Sequence, residues 1–326
     1  MVELRYGAAI NRALSDAMEA DASVIVMGED IAGAGGSFGA TRGLLDKFGA
    51  GRVLDTPISE AAIAGMAVGA AMSGLKPVFE IMFMDFVTLT MDAIVNQAAK
   101  ARFMFGGQCS VPLVLRAPHG GGLSAGPQHS QCLEAWFAHV PGLKVVCPSS
   151  PASAYALLRS AVSDPDPVIF VEHKGLYARK SDIPDDLAPS PLGKAAVIRP
   201  GETVTVVTYG AAVDWALGAA DALAPEGISV EVIDLQTIQP WDEAAVLASL
   251  TKTHRLVVVH EAVEAFGVGA EIVARMADIG FEELDGPIVR VGSPFMPIPF
   301  AAELEQAYRP SVEKVIAAIH KTMGKE

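Results

Sequence analysis

Short apolar strand patterns alternate with longer helical patterns along most of this 326-residue chain. Such alternation predicts an α/β fold with a parallel sheet, because parallel strands must be joined by crossover connections, usually helices. In the first half the predicted strands are Val24–Met27, Val78–Met82, Val111–Arg116, Leu143–Cys147 and Val168–Val171, and the predicted helices are Tyr6–Ala20, Phe86–Phe105 and Ala152–Val162.

A proline-rich segment without periodicity, Ile183–Gly193, separates this half from a second set of alternating patterns. Its composition is typical of an interdomain linker. We therefore predict two α/β domains, residues 1–185 and 195–326, joined by a linker at 186–194. The second domain is predicted to contain strands at Val204–Thr208, Ser229–Asp234, Leu256–Val259 and Ile288–Val291, and a final helix at Ser311–Met323.

Hydrophobic residues make up 51% of the chain, and the mean hydropathy is +0.36. The apolar stretch Ala61–Leu75 is too short to cross a bilayer and ends at Lys76. The first residues lack the basic-then-apolar pattern of a signal peptide. We therefore expect a cytoplasmic protein without a membrane partner, whose extra apolar surface is buried against other subunits.

The formal net charge of −14 argues against nucleic acids and anionic membranes as partners, because like charges repel. The three cysteines form no C-x-x-C pair, which fits a reducing compartment and predicts no zinc site. The string Gly122–Gly126 matches G-x-S-x-G of serine hydrolases, but Pro118 and three glycines separate its serine from the strand. We therefore expect no nucleophile there.

A glutamate opens a helical pattern in which small residues recur at every fourth position. If this run is helical, Ala61, Gly65, Gly69 and Ser73 lie on one face. Each glycine costs a helix up to about 1 kcal/mol relative to alanine, so we expect another helix to pack closely on this face. A buried carboxyl at Glu60 would suit proton transfer. The alternative is a buried core helix with a solvated glutamate at its N-terminus, where the helix dipole stabilises a negative charge.

A histidine lies in the polar, turn-forming segment Gly126–Gln131, just after the glycine run Gly120–Gly122. Loops positioned by a rigid sheet often carry catalytic groups, and histidine exchanges protons near neutral pH. His129 is therefore a candidate catalytic residue, although a surface histidine is an open alternative.

Several ordered motifs resemble those of β subunits of 2-oxoacid dehydrogenase E1 components. Glu60 followed by Gly65–Gly69 resembles the E-x4-G-Φ-x-x-G signature of thiamine-diphosphate enzymes. Gly28–Asp30, the GPQHSQ string around His129 and the segment His139–Lys144 are similar to further motifs of the family. The resemblance continues through VTYG, VIDLQTIQPWD, HEA and GVGAEI, and so covers essentially the whole chain. It implies a transketolase-type pyrimidine-binding domain followed by a transketolase C-terminal-like domain.

The resemblance implies roles for individual residues. Glu60 matches the glutamate that hydrogen-bonds the aminopyrimidine of thiamine diphosphate and favours its imino form. Phe86 matches the aromatic residue that stacks on the pyrimidine ring. His129 matches the histidine that handles protons and orients the acyl-acceptor step. The other residues expected at the cofactor are Glu29, Ile58 and Met82.

The resemblance also implies a structural cation site, potassium-like in relatives. The turn Ala161–Pro167 is rich in the oxygen ligands that hard cations prefer, and a solvated acidic turn is an equally open interpretation. The residues expected to form this site are Leu113, Ala161, Val162, Asp164 and Asp166.

One motif of the family is absent. The family holds diphosphate and magnesium through Gly-Asp-Gly and a later Asn, and this chain has no such string. A separate E1 α chain is therefore expected to supply that half of the site and the magnesium, in a heterotetramer of two α and two β chains. The family further implies a lipoyl-bearing E2 core as the acyl acceptor, docked through the second domain.

The expected substrate is acetoin. The strings RFMFGG, KVVCPSSP and VIFVEHKGLY resemble acetoin dehydrogenase β subunits most, while pyruvate and branched-chain 2-oxoacids stay open alternatives. A non-catalytic scaffold that binds an α-like partner is the alternative from a different class. His119, near the expected pocket, has no place in this scheme.

Overall fold

The computed structural model describes residues Met1–Gly324 and divides into two compact units. The first unit contains Met1–His119 and Trp136–Leu192, and the second contains Gly120–Ala135 and the chain from Gly193 onward. The segment Gly120–Ala135 therefore interrupts the first unit in sequence and makes its contacts in the second. The domain boundaries expected from the sequence do not single out this segment, and they stay predictions.

The first unit alternates strands and helices. Its strands are β1 (Val2–Arg5), β2 (Val24–Gly28), β3 (Val53–Asp55), β4 (Lys76–Glu80), β5 (Val114–His119), β6 (Lys144–Val146), β7 (Val168–His173) and β8 (Lys180–Ile183). Its helices are α1 (Tyr6–Ala20), α2 (Leu44–Phe48), α3 (Glu60–Met72), α4 (Ala99–Met104), α6 (Pro151–Ser163) and α5 (Glu134–Ala138), the last beginning in the Gly120–Ala135 segment.

Six of these strands form a parallel sheet in the order β6-β7-β5-β4-β2-β3. Every residue of β2, β5 and β7 is buried, as expected for parallel strands covered on both faces. Helices α1 and α6 pack against each other, and β1 pairs with β8 as a separate antiparallel ribbon. The parallel α/β fold predicted from the sequence is confirmed.

The long helix predicted over Phe86–Phe105 is wrong in detail. The structure has a 3₁₀-helix at Met84–Thr90, a π-helix at Asp92–Ala98 and then α4. The hydroxyls of Thr88 and Thr90 donate to the carbonyls three residues earlier, at 3.2 and 2.7 Å. Such local bonds compete with the α-helical pattern, and hydrophobic periodicity does not reveal them.

The second unit has a five-stranded sheet in the order β14-β13-β10-β11-β9, in which only the edge strand β9 is antiparallel. The strands of this sheet are β9 (Ala196–Arg199), β10 (Val204–Thr208), β11 (Val230–Asp234), β13 (Leu256–Val263) and β14 (Val289–Ser293). The second unit also contains the short strand β12 (Thr237–Gln239), which is not part of this sheet. Its helices are α7 (Ala212–Leu223), α8 (Glu243–Thr253), α9 (Val268–Ile279), α10 (Ala302–Tyr308) and α11 (Val312–Thr322), with 3₁₀ turns at Ala224–Glu226 and Phe281–Glu283.

Small residues allow α7 and α11 to pack closely on one face of this sheet. A Cβ added at Gly218 of α7 would lie 2.8 Å from the Val312 side chain at the start of α11. Buried alanines of α7, among them Ala216 and Ala220, share a core cluster with Ile319 of α11. Among the described residues, no helix combines the length and apolar character that crossing a bilayer requires.

Candidate active site

Three neighbouring parallel strands of the first unit lead into the predicted cofactor residues. Glu29 follows β2, and Glu60 follows β3 as the first residue of α3. Met82 and Phe86 follow β4, which pairs with β2 on its other side. Because the order β4-β2-β3 is parallel throughout, the three carboxyl ends share one edge of the sheet, where α/β proteins bind ligands.

Glu60 is 8% exposed at the start of α3, where the helix dipole favours an anion. The predicted small-residue face, Ala61, Gly65, Gly69 and Ser73, is exposed throughout. A Cβ added at either glycine would meet nothing within 4 Å. The close helix packing expected on this face is therefore not made among the described residues, and the face is exposed there.

Glu29 lies near Glu60 and is 3% exposed. Its carboxylate accepts a hydrogen bond from the Ser59 backbone N–H, and its Oε1 has no hydrogen-bond partner among the described residues. Burial, together with the charge of Glu60, raises the pKa of Glu29 above its ordinary value. A buried carboxyl with a raised pKa, such as that of Glu29, can hold or exchange a proton with a basic group bound beside it.

Partly exposed apolar side chains lie next to α3. The segment Met84–Thr90, which contains Phe86, packs against this helix. Met82 and Phe86 are half-buried, and the Phe86 ring lies edge-on to Phe83 with the centroids 5.9 Å apart. Such surfaces can receive a flat heteroaromatic ring. Ile58 is 80% exposed, so this chain does not itself bury it.

A fully buried arginine links three strands of the same sheet. Arg116 of β5 donates to Glu80 of β4 at 2.7 Å and to both carboxylate oxygens of Glu172 of β7 at 2.7 and 2.8 Å. The Tyr177 hydroxyl also donates to Glu172. Burial raises the pKa of Glu80, and the positive charge of Arg116 opposes that rise. Sequence analysis missed this network, whose one signal is an arginine within an apolar strand pattern.

His129 is half-buried in the segment Gly120–Ala135, and its backbone N–H donates to the Gly126 carbonyl at 3.3 Å. By its contacts this segment belongs to the second unit. The structure therefore brings Glu29 and Glu60 together in the first unit and carries His129 on the second.

His119, which had no place in the sequence interpretation, is the last residue of β5 and is 3% exposed. It lies opposite His173 of β7, and the two rings meet edge-on with centroids 5.3 Å apart. The His173 Nδ1 accepts the Gly175 N–H at 3.0 Å. His119 is thus one member of a buried pair of histidines at the carboxyl edge of the sheet.

The residues of the expected cation site lie on the turn that ends α6 and in the chain just before β5. Asp164 pairs with Lys144 at 2.6 Å, and Asp166 pairs with Arg102 at 2.7 Å. Because both carboxylates are engaged by cations of the protein, a metal ion here would depend on backbone carbonyls. The remaining expected ligands are Leu113, Ala161 and Val162.

Two family models match most of the chain. The model described as "Transketolase, pyrimidine binding domain" matches residues 2–180. The model described as "Transketolase, C-terminal domain" matches residues 193–315. The first match contains Glu29, Glu60 and Phe86, and the parallel sheet that carries them.

Relatives and a solved structure extend these matches over nearly the whole chain. The mitochondrial pyruvate dehydrogenase E1 component subunit beta-2 of Oryza sativa subsp. japonica is 46% identical, over 97% of this chain and 85% of its own length. The acetoin:2,6-dichlorophenolindophenol oxidoreductase subunit beta of Cupriavidus necator is also 46% identical, over 97% of this chain and 96% of its own. A split gene transketolase, solved as an inactive beta4 tetramer, matches over 99% of both chains with a TM-score of 0.82 and 22% identity, which shows a common fold. The chain belongs to the β-subunit family of 2-oxoacid dehydrogenase E1 components.

Proposed function

We propose that this chain is the β subunit of a thiamine-diphosphate-dependent dehydrogenase and supplies the pyrimidine half of its active site. The observation that carries the proposal is the pair of buried carboxyls, Glu60 and Glu29, at the carboxyl edge of the first unit's sheet. Two neighbouring desolvated carboxyls are unfavourable unless a ligand donates hydrogen bonds to them or shares a proton with them. An aminopyrimidine ring can do both.

The residues present fit that half of the cofactor. Glu29 has a buried oxygen without a hydrogen-bond partner in the described part of the chain, and Met82 and Phe86 offer half-buried surface for a flat ring. When bound, thiamine diphosphate supplies the electron sink for breaking a carbon–carbon bond next to a carbonyl. Glu60 would hydrogen-bond the aminopyrimidine and share a proton with it, which a buried carboxyl does better than a solvated one.

A separate α chain would complete the site. This chain lacks the Gly-Asp-Gly and Asn motif for diphosphate and magnesium, so we assign both to the α chain. The exposed small-residue face of α3, together with exposed Ile58, offers that chain a close apolar contact. An assembly of two α and two β chains would bury these surfaces, and a potassium ion at the Asp164 turn would have a structural role. Among the described residues no disulfide joins any of the three cysteines, which supports the cytoplasmic location included in the proposal.

The proposed reaction cleaves acetoin, or decarboxylates a 2-oxoacid, and passes the resulting acyl group to an E2 lipoyl group. The carbon unit that remains after cleavage or decarboxylation is oxidised to the acyl level while the lipoyl disulfide is reduced, with the acyl group on one sulfur and a proton on the other. His129 would handle the proton of this transfer.

Acetoin is the favoured substrate because three strings of the chain resemble acetoin dehydrogenase β subunits. Pyruvate is the second candidate, since relatives named for acetoin and for pyruvate are both 46% identical to this chain. A branched-chain 2-oxoacid is the third. Overall identity does not discriminate among them, so the substrate must be decided by assay.

The deciding experiment is turnover by the chain co-purified with its α chain, thiamine diphosphate and magnesium. Acetoin, pyruvate and a branched-chain 2-oxoacid are offered in parallel, with an artificial dye as electron acceptor. We expect dye reduction with acetoin. If a complex shown to hold the cofactor turns over none of them, the proposed chemistry is wrong and the scaffold alternative is favoured.

Glu60→Ala should lower turnover by about 10²- to 10⁴-fold, because it removes the proposed proton partner of the pyrimidine. Assembly with the α chain should persist, since the lost side chain packs no large apolar surface. Asp46→Asn is the matched control, because it removes an exposed carboxylate from the first turn of another helix, α2. Equal turnover by Glu60→Ala and Asp46→Asn would exclude the role assigned to Glu60.

A further inference from the structure

A buried carboxylate of the second unit holds the glycine-rich part of the Gly120–Ala135 segment. Glu305 of α10 is 3% exposed. Its Oε1 accepts the backbone N–H of Gly122 at 2.9 Å, and its Oε2 accepts that of Ser124 at 3.0 Å. Each oxygen therefore serves a separate amide, and hydrogen bonds to an ionised acceptor are about twice as strong as neutral ones.

A second buried carboxylate holds the preceding residue. Glu261 of β13 accepts the Gly121 N–H at 2.6 Å. Arg309 donates to both oxygens of the same carboxylate at 3.0 Å each, and its guanidinium lies over the Trp215 ring at 5.2 Å. Because Arg309 fixes Glu261, the Gly121 amide meets an acceptor with little freedom to move.

The segment also fits closely against apolar side chains of the second unit. A Cβ added at Gly121 would lie 2.8 Å from Ile298, and one at Gly126 would lie 2.2 Å from the Phe300 ring. Gly126 in addition has a φ of +77°, which side-chain-bearing residues rarely adopt. The path of the backbone is therefore fixed by close contact as well as by hydrogen bonds.

The far end of the segment is held as well. Glu134 is fully buried and accepts the Tyr209 hydroxyl at 2.8 Å. The Tyr209 ring in turn stacks on His260, with the centroids 6.1 Å apart. His129 lies between these two anchored ends.

We propose that Glu305, supported by Glu261, is a positioning residue that fixes the His129 segment for acyl transfer. Burying a carboxylate is costly unless it is well hydrogen-bonded. The buried carboxylates of Glu305 and Glu261 both accept hydrogen bonds from the backbone amides of a glycine-rich loop, and not from a strand or helix of the core. A misplacement of about 1 Å can cost on the order of a hundredfold in rate. The inference rests on the proposed function, in that it takes the role of His129 from it.

The test is Glu305→Gln in the complete assembly with the α chain, cofactor and E2. Glutamine keeps the size of the side chain but places an NH₂ group against one of the two amide donors, so one hydrogen bond is lost. Glu303→Gln is the matched control, because Glu303 is an exposed glutamate of the same helix. Turnover is measured twice, with the artificial dye and with lipoylated E2.

We expect Glu305→Gln to lower the E2-dependent rate by roughly ten- to a hundredfold, from the loss of a charged hydrogen bond. Dye reduction should change by less than about threefold, because the dye does not need the acyl-transfer step. His129→Ala should give the same pattern, and the double variant should be no slower than His129→Ala alone, since both act at one step. Hydrogen exchange at the Gly122 and Ser124 amides should be slow in the wild-type assembly and faster in Glu305→Gln.

The outcomes distinguish the positioning role of Glu305 from the proposed role of His129. A lowered E2-dependent rate in His129→Ala with a normal one in Glu305→Gln overturns the positioning role alone. A normal rate in His129→Ala overturns the proposed role of His129 and this inference with it. Fast amide exchange at Gly122 and Ser124 in the wild type refutes the inference even if Glu305→Gln does not assemble.

Discussion

Replacing Arg116 with leucine tests how the sheet of the first unit is stabilised. The guanidinium is fully buried and makes hydrogen bonds of 2.7, 2.7 and 2.8 Å to Glu80 and Glu172. Leucine fills part of the volume but leaves both carboxylates buried without a counter-charge. Tyr177 still donates to Glu172 and offsets only part of that loss.

Removing one partner of a buried ion pair costs about 3–5 kcal/mol. Because Arg116 serves two carboxylates, we expect a loss near the upper end, which is a large share of the roughly 5–15 kcal/mol by which proteins are stable. With a urea slope of about 2 kcal/mol per M, the unfolding midpoint should fall by roughly 2 M.

The loss should also depend on pH. Burial already raises the pKa of Glu80, against the opposing charge of Arg116, so removing Arg116 raises it further. A carboxyl whose pKa is higher in the folded protein than in the unfolded one stabilises the fold when it is protonated. This stabilisation is complete at a pH below the pKa of the unfolded state, and it is lost as the pH rises through the pKa of the folded state. The free energy of unfolding that Arg116→Leu loses relative to the wild type should therefore become smaller as the pH is lowered from about 8 to about 5.

The assay is urea unfolding followed by Trp136 fluorescence, in a background in which Trp215 and Trp241 are replaced by phenylalanine. Trp136 belongs to the first unit, so its signal reports that unit. Arg102→Leu is the control, because Arg102 is half-exposed and pairs with Asp166 at 2.7 Å; it should cost at most about 1 kcal/mol. If the midpoint shift for Arg116→Leu is no larger than for Arg102→Leu, the buried charges of Glu80 and Glu172 do not need Arg116 for the stability of the sheet.

Two further predictions concern the second unit, and both are measured by thermal unfolding. Gly126→Ala should destabilise it by roughly 2 kcal/mol, from the positive φ and the overlap with Phe300; Phe300→Ala in the same chain should recover part of the loss, and no recovery would show that overlap is unimportant. Burial lowers the pKa of His260 below its usual 6.5. The stability linked to this histidine is therefore complete above that value and is lost as the pH falls below it; His260→Phe should flatten this dependence, and an unchanged slope would contradict it.

Local patterns predicted the elements well where packing is regular. The helix at Tyr6–Ala20 and the strand at Val204–Thr208 have the bounds expected from periodicity. The region Phe86–Phe105 differs from the long helix predicted for it, because threonine hydroxyls donate hydrogen bonds to nearby backbone carbonyls. Hydrophobic periodicity does not reveal such bonds. The resemblance to a known family could also be recognised from the sequence, because its motifs, such as Glu60 and the glycines that follow it, each lie in one short segment.

The buried charges could not be predicted in the same way. Arg116 finds its carboxylates 36 and 56 residues away, and Glu305 binds amides 183 and 181 residues earlier. Apolar periodicity indicates whether a position is buried, but not which residue it faces. A buried arginine or glutamate therefore contradicts the apolar pattern of its segment, and its role is not apparent until its charged or polar partner is known.

Short-range periodicity was enough to predict the α/β class, and the resemblance of short motifs to a known family gave the candidate residues, because both can be recognised within single segments of the chain. Tertiary structure alone decided the strand order β4-β2-β3, which brings Glu29, Glu60 and Phe86 to one sheet edge. It also decided that the segment carrying His129 is held by the second unit. Both depend on contacts between distant residues, whose free energy comes from burying charges and apolar surface together, and no local pattern encodes that pairing.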